Sequence, residues 1–195
     1  MLIADRGIVS STCPSHQGSV NYFYNNEVNL GVADMLRARG FKVYHGRYAD
    51  AEQASRFKAV VRVPNNYMTT AFHQLLGAGT VMLVPSRSFL LSLANVSGFW
   101  WNTHWDVESH RELFETSRQW SCPEQFSTLS PETLEYAYEY DERHAEGLIY
   151  FESWDDLENK LRTTDFGAAR QRALSLSNVL TKESLDQWAA LLQHL

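Results

Sequence analysis

Between Arg62 and Pro85 the chain spells out a complete strand–helix–strand unit. The end of one apolar run, Val60-Val61-Arg62-Val63, gives way to the polar start Pro64-Asn65-Asn66. An amphipathic segment follows, with Met68, Phe72, Leu75 and Leu76 on one stripe, then the stop Gly77-Ala78-Gly79 and a second apolar run from Thr80 to Val84. Five-residue runs that are apolar on both faces, separated by helix-period segments, fit only a largely parallel sheet covered by helices on both sides. The crossovers of such a sheet are right-handed. Two strand ends and a helix N-terminus therefore meet at one sheet edge, where open α/β folds hold their ligands.

The same alternation runs through much of the chain. A short strand is expected at Leu2 to Ala4 and another at Val20 to Tyr24, beyond the turn-rich Ser10 to Ser19. Glu27 to Arg39 reads as a helix, with Val28, Val32, Met35 and Leu36 on one face, Asn26 as cap and Gly40 as stop. Strands follow at Phe41 to His45, Phe57 to Val63 and Gly147 to Phe151, with helices at Asp50 to Arg56, Asn66 to Leu76 and Ser86 to Ala94. Ser153 caps a helix that aligns Trp154, Leu157 and Leu161. Two further helical stretches end the chain, the last with Leu185, Trp188, Ala189, Leu192 and Leu195 on one face. The expectation is a single Rossmann-like α/β domain over residues 1–195, with a mostly parallel sheet of five or six strands. Its C-terminal helices span about 153–195. Residues of about 98–146 break the pattern, with the cluster Phe99-Trp100-Trp101-Asn102-Thr103-His104-Trp105, a polar helix near Val107 to Trp120 and the run Tyr136 to Glu142. They read as an insertion packed over one end of the sheet.

Composition excludes several classes. With 44% hydrophobic and 13% aromatic residues in 195, the chain has ample material for a packed core. A net charge of −6 without a basic stripe argues against nucleic acid and anionic membrane as partners. No apolar stretch approaches the roughly 20 residues of a bilayer span, and Met1 to Gly7 lacks the basic leader and apolar core of a signal peptide. Cys13 and Cys122 have neither metal spacing nor a disulfide framework, which suggests a cytoplasmic or other reducing setting. The seven histidines form no i, i+4 pair, so no metal site is expected. Nucleophile-elbow and P-loop motifs are absent, and Gly77-Ala78-Gly79 precedes a strand where a dinucleotide fingerprint would follow one.

Three loops at the expected strand ends carry anion-friendly chemistry. Gly46-Arg47 offers flexible backbone and a fork-shaped cation. Asn65-Asn66 and Ser86-Arg87-Ser88 each open a helix. Asn66, Thr70 and His73 share one helical face, with Thr69 and Gln74 beside them. Two readings of these residues stand: simple helix caps with a solvated Arg47, or the lining of a ligand site. The aromatic cluster Phe99 to Trp105 likewise suits either sugar stacking or a minor core or interface.

The run His73-Gln74-Leu75-Leu76-Gly77-Ala78-Gly79-Thr80-Val81-Met82-Leu83 resembles the element that GT-B glycosyltransferases carry in their C-terminal, nucleotide-sugar-binding domain. His45-Gly46-Arg47-Tyr48 with Phe57 to Val61 resembles the preceding element of that family, and Gly147 to Leu157 its closing strand and helix. The resemblance covers roughly Glu27 to Leu195, with Gly98 to Glu146 unmatched. It implies a nucleoside diphosphate sugar as donor substrate and no other cofactor. The donor would contact Gly46, Arg47, Asn65, Asn66, Thr69, Thr70, His73, Gln74, Ser86 and Arg87. Gln74 stands where the family has an acidic residue that holds the donor ribose. A full GT-B enzyme also needs a second Rossmann-like half, so transfer to a glycan acceptor would call on another chain or a longer parent. The alternative is a non-catalytic protein- or glycan-interaction module. In that reading the Trp188 helix or the Phe99 to Trp105 cluster mediates self-association or holds a partner chain.

Overall fold

The computed structural model describes residues 2–3, 26–44, 49–65, 70–97, 99, 129–131 and 133–193. They form an α/β architecture built on a sheet of strand order β2-β1-β3-β4-β5. The strands are β1 (Leu2–Ile3), β2 (Val43–Tyr44), β3 (Ala59–Val61), β4 (Met82–Pro85) and β5 (Leu148–Phe151). The parallel part is β3-β4-β5, in register Val60↔Met82↔Leu148 and Val61↔Leu83↔Ile149. β1 is antiparallel to both β2 and β3. The C-terminal ends of β2, β3, β4 and β5 consequently share one edge.

Side-chain alternation along β3 to β5 builds two cores. Val60, Met82, Val84 and Leu148 face one way, against Phe72, Leu75 and Leu76 of α4 (Thr70–Gly77) and Leu90 and Leu93 of α5 (Arg87–Leu93). Ala59, Val61, Leu83 and Phe151 face the other way, against Val32 and Leu36 of α2 (Val32–Ala38) and Leu157 and Leu161 of α6 (Trp154–Thr163). A short α3 (Ala51–Ser55) is capped by Asp50, whose carboxylate accepts from the Gln53 N–H at 2.7 Å. The caps Ser86 and Ser153 accept in the same way from Phe89 and Asp156.

Two helices depart from the sequence expectation. The segment expected as one helix over Glu27 to Arg39 is α1 (Asn26–Asn29) followed by α2, because Gly31 takes φ 64° and turns the chain between them. Asn26, the first residue of α1, also makes a distant contact: its Nδ2 donates to the Pro64 carbonyl at 2.9 Å, and the residue is fully buried. The two helical stretches expected at the end are one continuous helix, α7 (Phe166–Leu192), which starts on the Asp165 cap. No glycine or proline interrupts it after Gly167, so nothing in the backbone stops it.

The described part of the expected insertion folds as three 3-10 segments, Thr133–Tyr136, Tyr138–Tyr140 and Glu142–Gly147, which lead into β5. Leu134, Ala137 and Tyr140 enter the first core, and Phe99 packs on it. The expected strand at Val20 to Tyr24, the helix near Val107 to Trp120, Trp100 to Trp105 and both cysteines lie outside the described residues.

Candidate functional site

β4 ends in Pro85 and delivers Ser86 and Arg87 to the shared edge; β5 ends in Phe151 and delivers Glu152 beside them. Ser86 Oγ donates to Glu152 Oε2 at 2.5 Å, and Ser88 Oγ reaches the same oxygen at 3.2 Å. Ser86 is therefore both the cap of α5 and a rivet between two strand ends. Arg87, at the first position of the helix, donates from Nη2 to the Tyr140 carbonyl at 2.6 Å. Its guanidinium carbon lies 6.0 Å from the Tyr140 ring centre.

Tyr140 and Tyr150 stack at 6.1 Å with 19° between their planes. Their hydroxyls are anchored at the backbone: Tyr140 donates to Pro85 O at 2.9 Å, Tyr150 to Glu139 O at 2.6 Å. Burial raises the Tyr140 phenol, and the neighbouring Glu139 raises it further. Tyr150 is pushed up to about 12, again chiefly by burial. Both phenols are thus neutral donors at ordinary pH. Together Ser86, Arg87, Tyr140, Tyr150, Glu142 and Glu152 line a cavity of about 300 Å³ at the sheet edge. Its chemistry is one guanidinium, two aromatic walls and carboxylates able to accept from hydroxyls.

Behind this cavity lies a buried ion pair. Arg62, just past β3, donates from Nε to Glu139 Oε1 at 2.5 Å, while Glu139 is only 1% exposed. Glu139 Oε2 has no hydrogen-bond partner among the described residues. On the far side of β3, Glu27 Oε1 accepts from the Val63 N–H at 2.6 Å. Arg62, Glu139, Tyr140, Tyr150 and Glu152 were not singled out by sequence pattern. The available signal was Arg62 itself, a charge inside an otherwise apolar strand run, which demands a buried partner.

The residues expected at the site are divided by the structure. Ser86 and Arg87 line the edge cavity, and Asn65 follows β3 at the same edge, half-buried. Thr70 is the first residue of α4, and Gln74 is exposed on that helix. His73 turns to a different place. Its ring lies 4.6 Å from Tyr138 and 5.5 Å from His144, and it lines a groove against α7. Gly46, Arg47, Asn66 and Thr69 lie outside the described residues.

Among the described residues no group of three or more His, Cys, Asp or Glu is placed to hold a metal ion. No helix among them is long and apolar enough to cross a membrane. Comparison with protein-family models, with curated proteins and with solved structures returns no match.

Proposed function

We propose that this chain is a Rossmann-like, glycosyltransferase-like domain that binds a nucleotide sugar at the C-terminal edge of its sheet, as the donor-binding half of a GT-B enzyme does. The observation that carries the reading is the cavity where β4 and β5 end. Arg87 offers a planar cation suited to a phosphate oxygen, Glu152 accepts from hydroxyls, and Tyr140 and Tyr150 provide walls for a ring. At about 300 Å³ the cavity takes one part of the donor, the sugar with its adjoining phosphate, and leaves the base outside it, near Gly46 to Tyr48. Asn65, after β3, stands at the same edge. Transfer itself would call on a second half that supplies the acceptor side.

A thermal-shift screen with UDP, GDP, ADP, CMP and their sugar conjugates tests this. One base family should raise the melting temperature in proportion to the logarithm of its concentration. Arg87→Gln, which removes a charge-assisted hydrogen bond, should weaken that ligand by about 1.5–3 kcal/mol. Silence from the whole panel on folded protein would rule the reading out.

One observation favours the alternative, a non-catalytic interaction module. Leu185, Trp188, Leu191 and Leu192 of α7 stand 63%, 61%, 59% and 64% exposed, an apolar stripe of the kind that other surfaces cover. Nucleotide silence together with self-association in sedimentation would select this reading.

A further inference from the structure

The groove that holds His73 is separate from the edge cavity, and its lining differs in kind. It measures about 480 Å³ and lies between α4, the 3-10 segments and the outer half of α7. One wall is aromatic. The rings of His73, Tyr138 and His144 meet edge-on at 4.6 to 6.1 Å, over Leu76 and Leu180. The opposite wall is a stripe of neutral polar side chains on α7: Ser177, Thr181, Ser184 and Gln187. Spacings of four, three and three residues place them along one face of the helix.

The charge in the groove decides what can occupy it. Among the described residues Arg143 is the one guanidinium on its lining, and it is paired with Asp141 through Nε and Nη2, at 3.1 and 2.5 Å. Those hydrogen bonds hold the Asp141 carboxyl at about 2. Glu183 adds a further negative charge on the same lining. Burial, then the neighbouring His144, pushes His73 below its ordinary value, so its imidazole is neutral at pH 7. His144 donates from Nδ1 to the Tyr138 carbonyl at 2.7 Å, since a carbonyl can only accept. Among the described residues of the lining the guanidinium is already paired with a carboxylate, and Glu183 adds further negative charge, which disfavours an anion.

We propose that the groove between α4, the Tyr138–Gly147 segment and α7 is a second binding site, for a neutral saccharide. An aromatic wall accepts the C–H face of a pyranose, and hydroxyl and amide groups opposite it exchange hydrogen bonds with the sugar hydroxyls. The site uses none of the residues of the edge cavity, so it stands whether or not that cavity takes a nucleotide.

Calorimetric titration with neutral tetrasaccharides of glucose, mannose, galactose, xylose and N-acetylglucosamine tests it, with a glucuronic acid oligomer and inorganic phosphate as charged controls. At least one neutral sugar should bind with Kd of about 1 mM or tighter. The double variant Ser177→Ala/Ser184→Ala should weaken it about tenfold, as expected for two lost hydrogen bonds. Ser184→Trp, on the exposed side of the helix, should block the groove without unfolding the protein. Arg87→Gln should leave saccharide binding unchanged, which separates this site from the edge cavity. Three results would each overturn the proposal: no neutral sugar binds, Ser184→Trp binds as well as the parent, or a charged control binds more tightly.

Discussion

The two halves of α7 follow the same helical stripe to opposite ends. In the first half Ala169 and Ala173 are buried, Leu174 closes on Gly79, and Leu176 meets Leu76 over Gly147. In the second half the stripe continues through Leu185, Trp188, Leu191 and Leu192, which stand exposed. At about 1.5 Å per residue the helix is about 40 Å long, longer than the layer it packs on. Along the inner half Ala169 and Ala173 share the packed face with Leu174, Leu176 and Leu180, whereas among the described residues the large apolar side chains of the last turns stand exposed. Beyond the stretch that lines the groove, the last turns extend from a nucleus already formed by the inner half.

The contrast can be broken most severely from the packed side. Leu76→Ala removes a side chain that is 1% exposed and sits against α7, and should cost about 2–5 kcal/mol in urea unfolding. Gly79→Ala comes next. A Cβ there would lie 2.8 Å from Leu174 Cγ, and the backbone has φ 69°. Strain and overpacking together should cost about 1–3 kcal/mol, read as a lower melting temperature.

The outer half should respond far less. Trp188→Ala or Leu192→Ala should change the stability of the monomer by no more than about 0.5 kcal/mol. A loss above 1 kcal/mol that grows with protein concentration would mean that this stripe is covered in solution, and the contrast between the halves would vanish.

The smallest effect is one of pH, at His73 beside the outer half. Its folded value is lowered, so the unfolded chain binds the proton first as pH falls. Stability is complete above the ordinary value of about 6.5 and declines below it, down to the folded value. His73→Gln should flatten that slope in melting experiments between pH 7 and 5; an unaltered slope would assign it to another group.

The sequence was a good guide wherever one short stretch carries the whole cause. Strands β3, β4 and β5 lie inside runs that are apolar on both faces, and Asp50, Ser86 and Ser153 cap α3, α5 and α6. Gly40, at φ 86°, ends α2 as its position implied. What was hidden depends on pairs far apart in the chain. Arg62 and Glu139 are 77 residues apart, and no periodicity links them. Nor does the local pattern show that Asn26 donates to Pro64, 38 residues on. The same holds for the site. Ser86 and Arg87 could be read as an edge pair, but Glu152 and the tyrosine walls reach them only through the β4–β5 pairing. His73 shares a helical face with Thr70, yet it is the 3-10 segments, which have no sequence signature, that draw its ring into the groove.

That β4–β5 ladder also bears on the order of folding. β3 and β4 are joined by one short helix, so their parallel pairing closes a small loop. β5 must find Met82 to Pro85 across everything from Ser86 to Gly147. Closure of so long a span makes the last strand slow to dock, and the β3-α4-β4 unit is the natural nucleus. Because that entropy grows only as the logarithm of length, doubling the span would cost only about 0.6 kcal/mol. The sheet can therefore tolerate a great change in the length of this connection at almost constant stability.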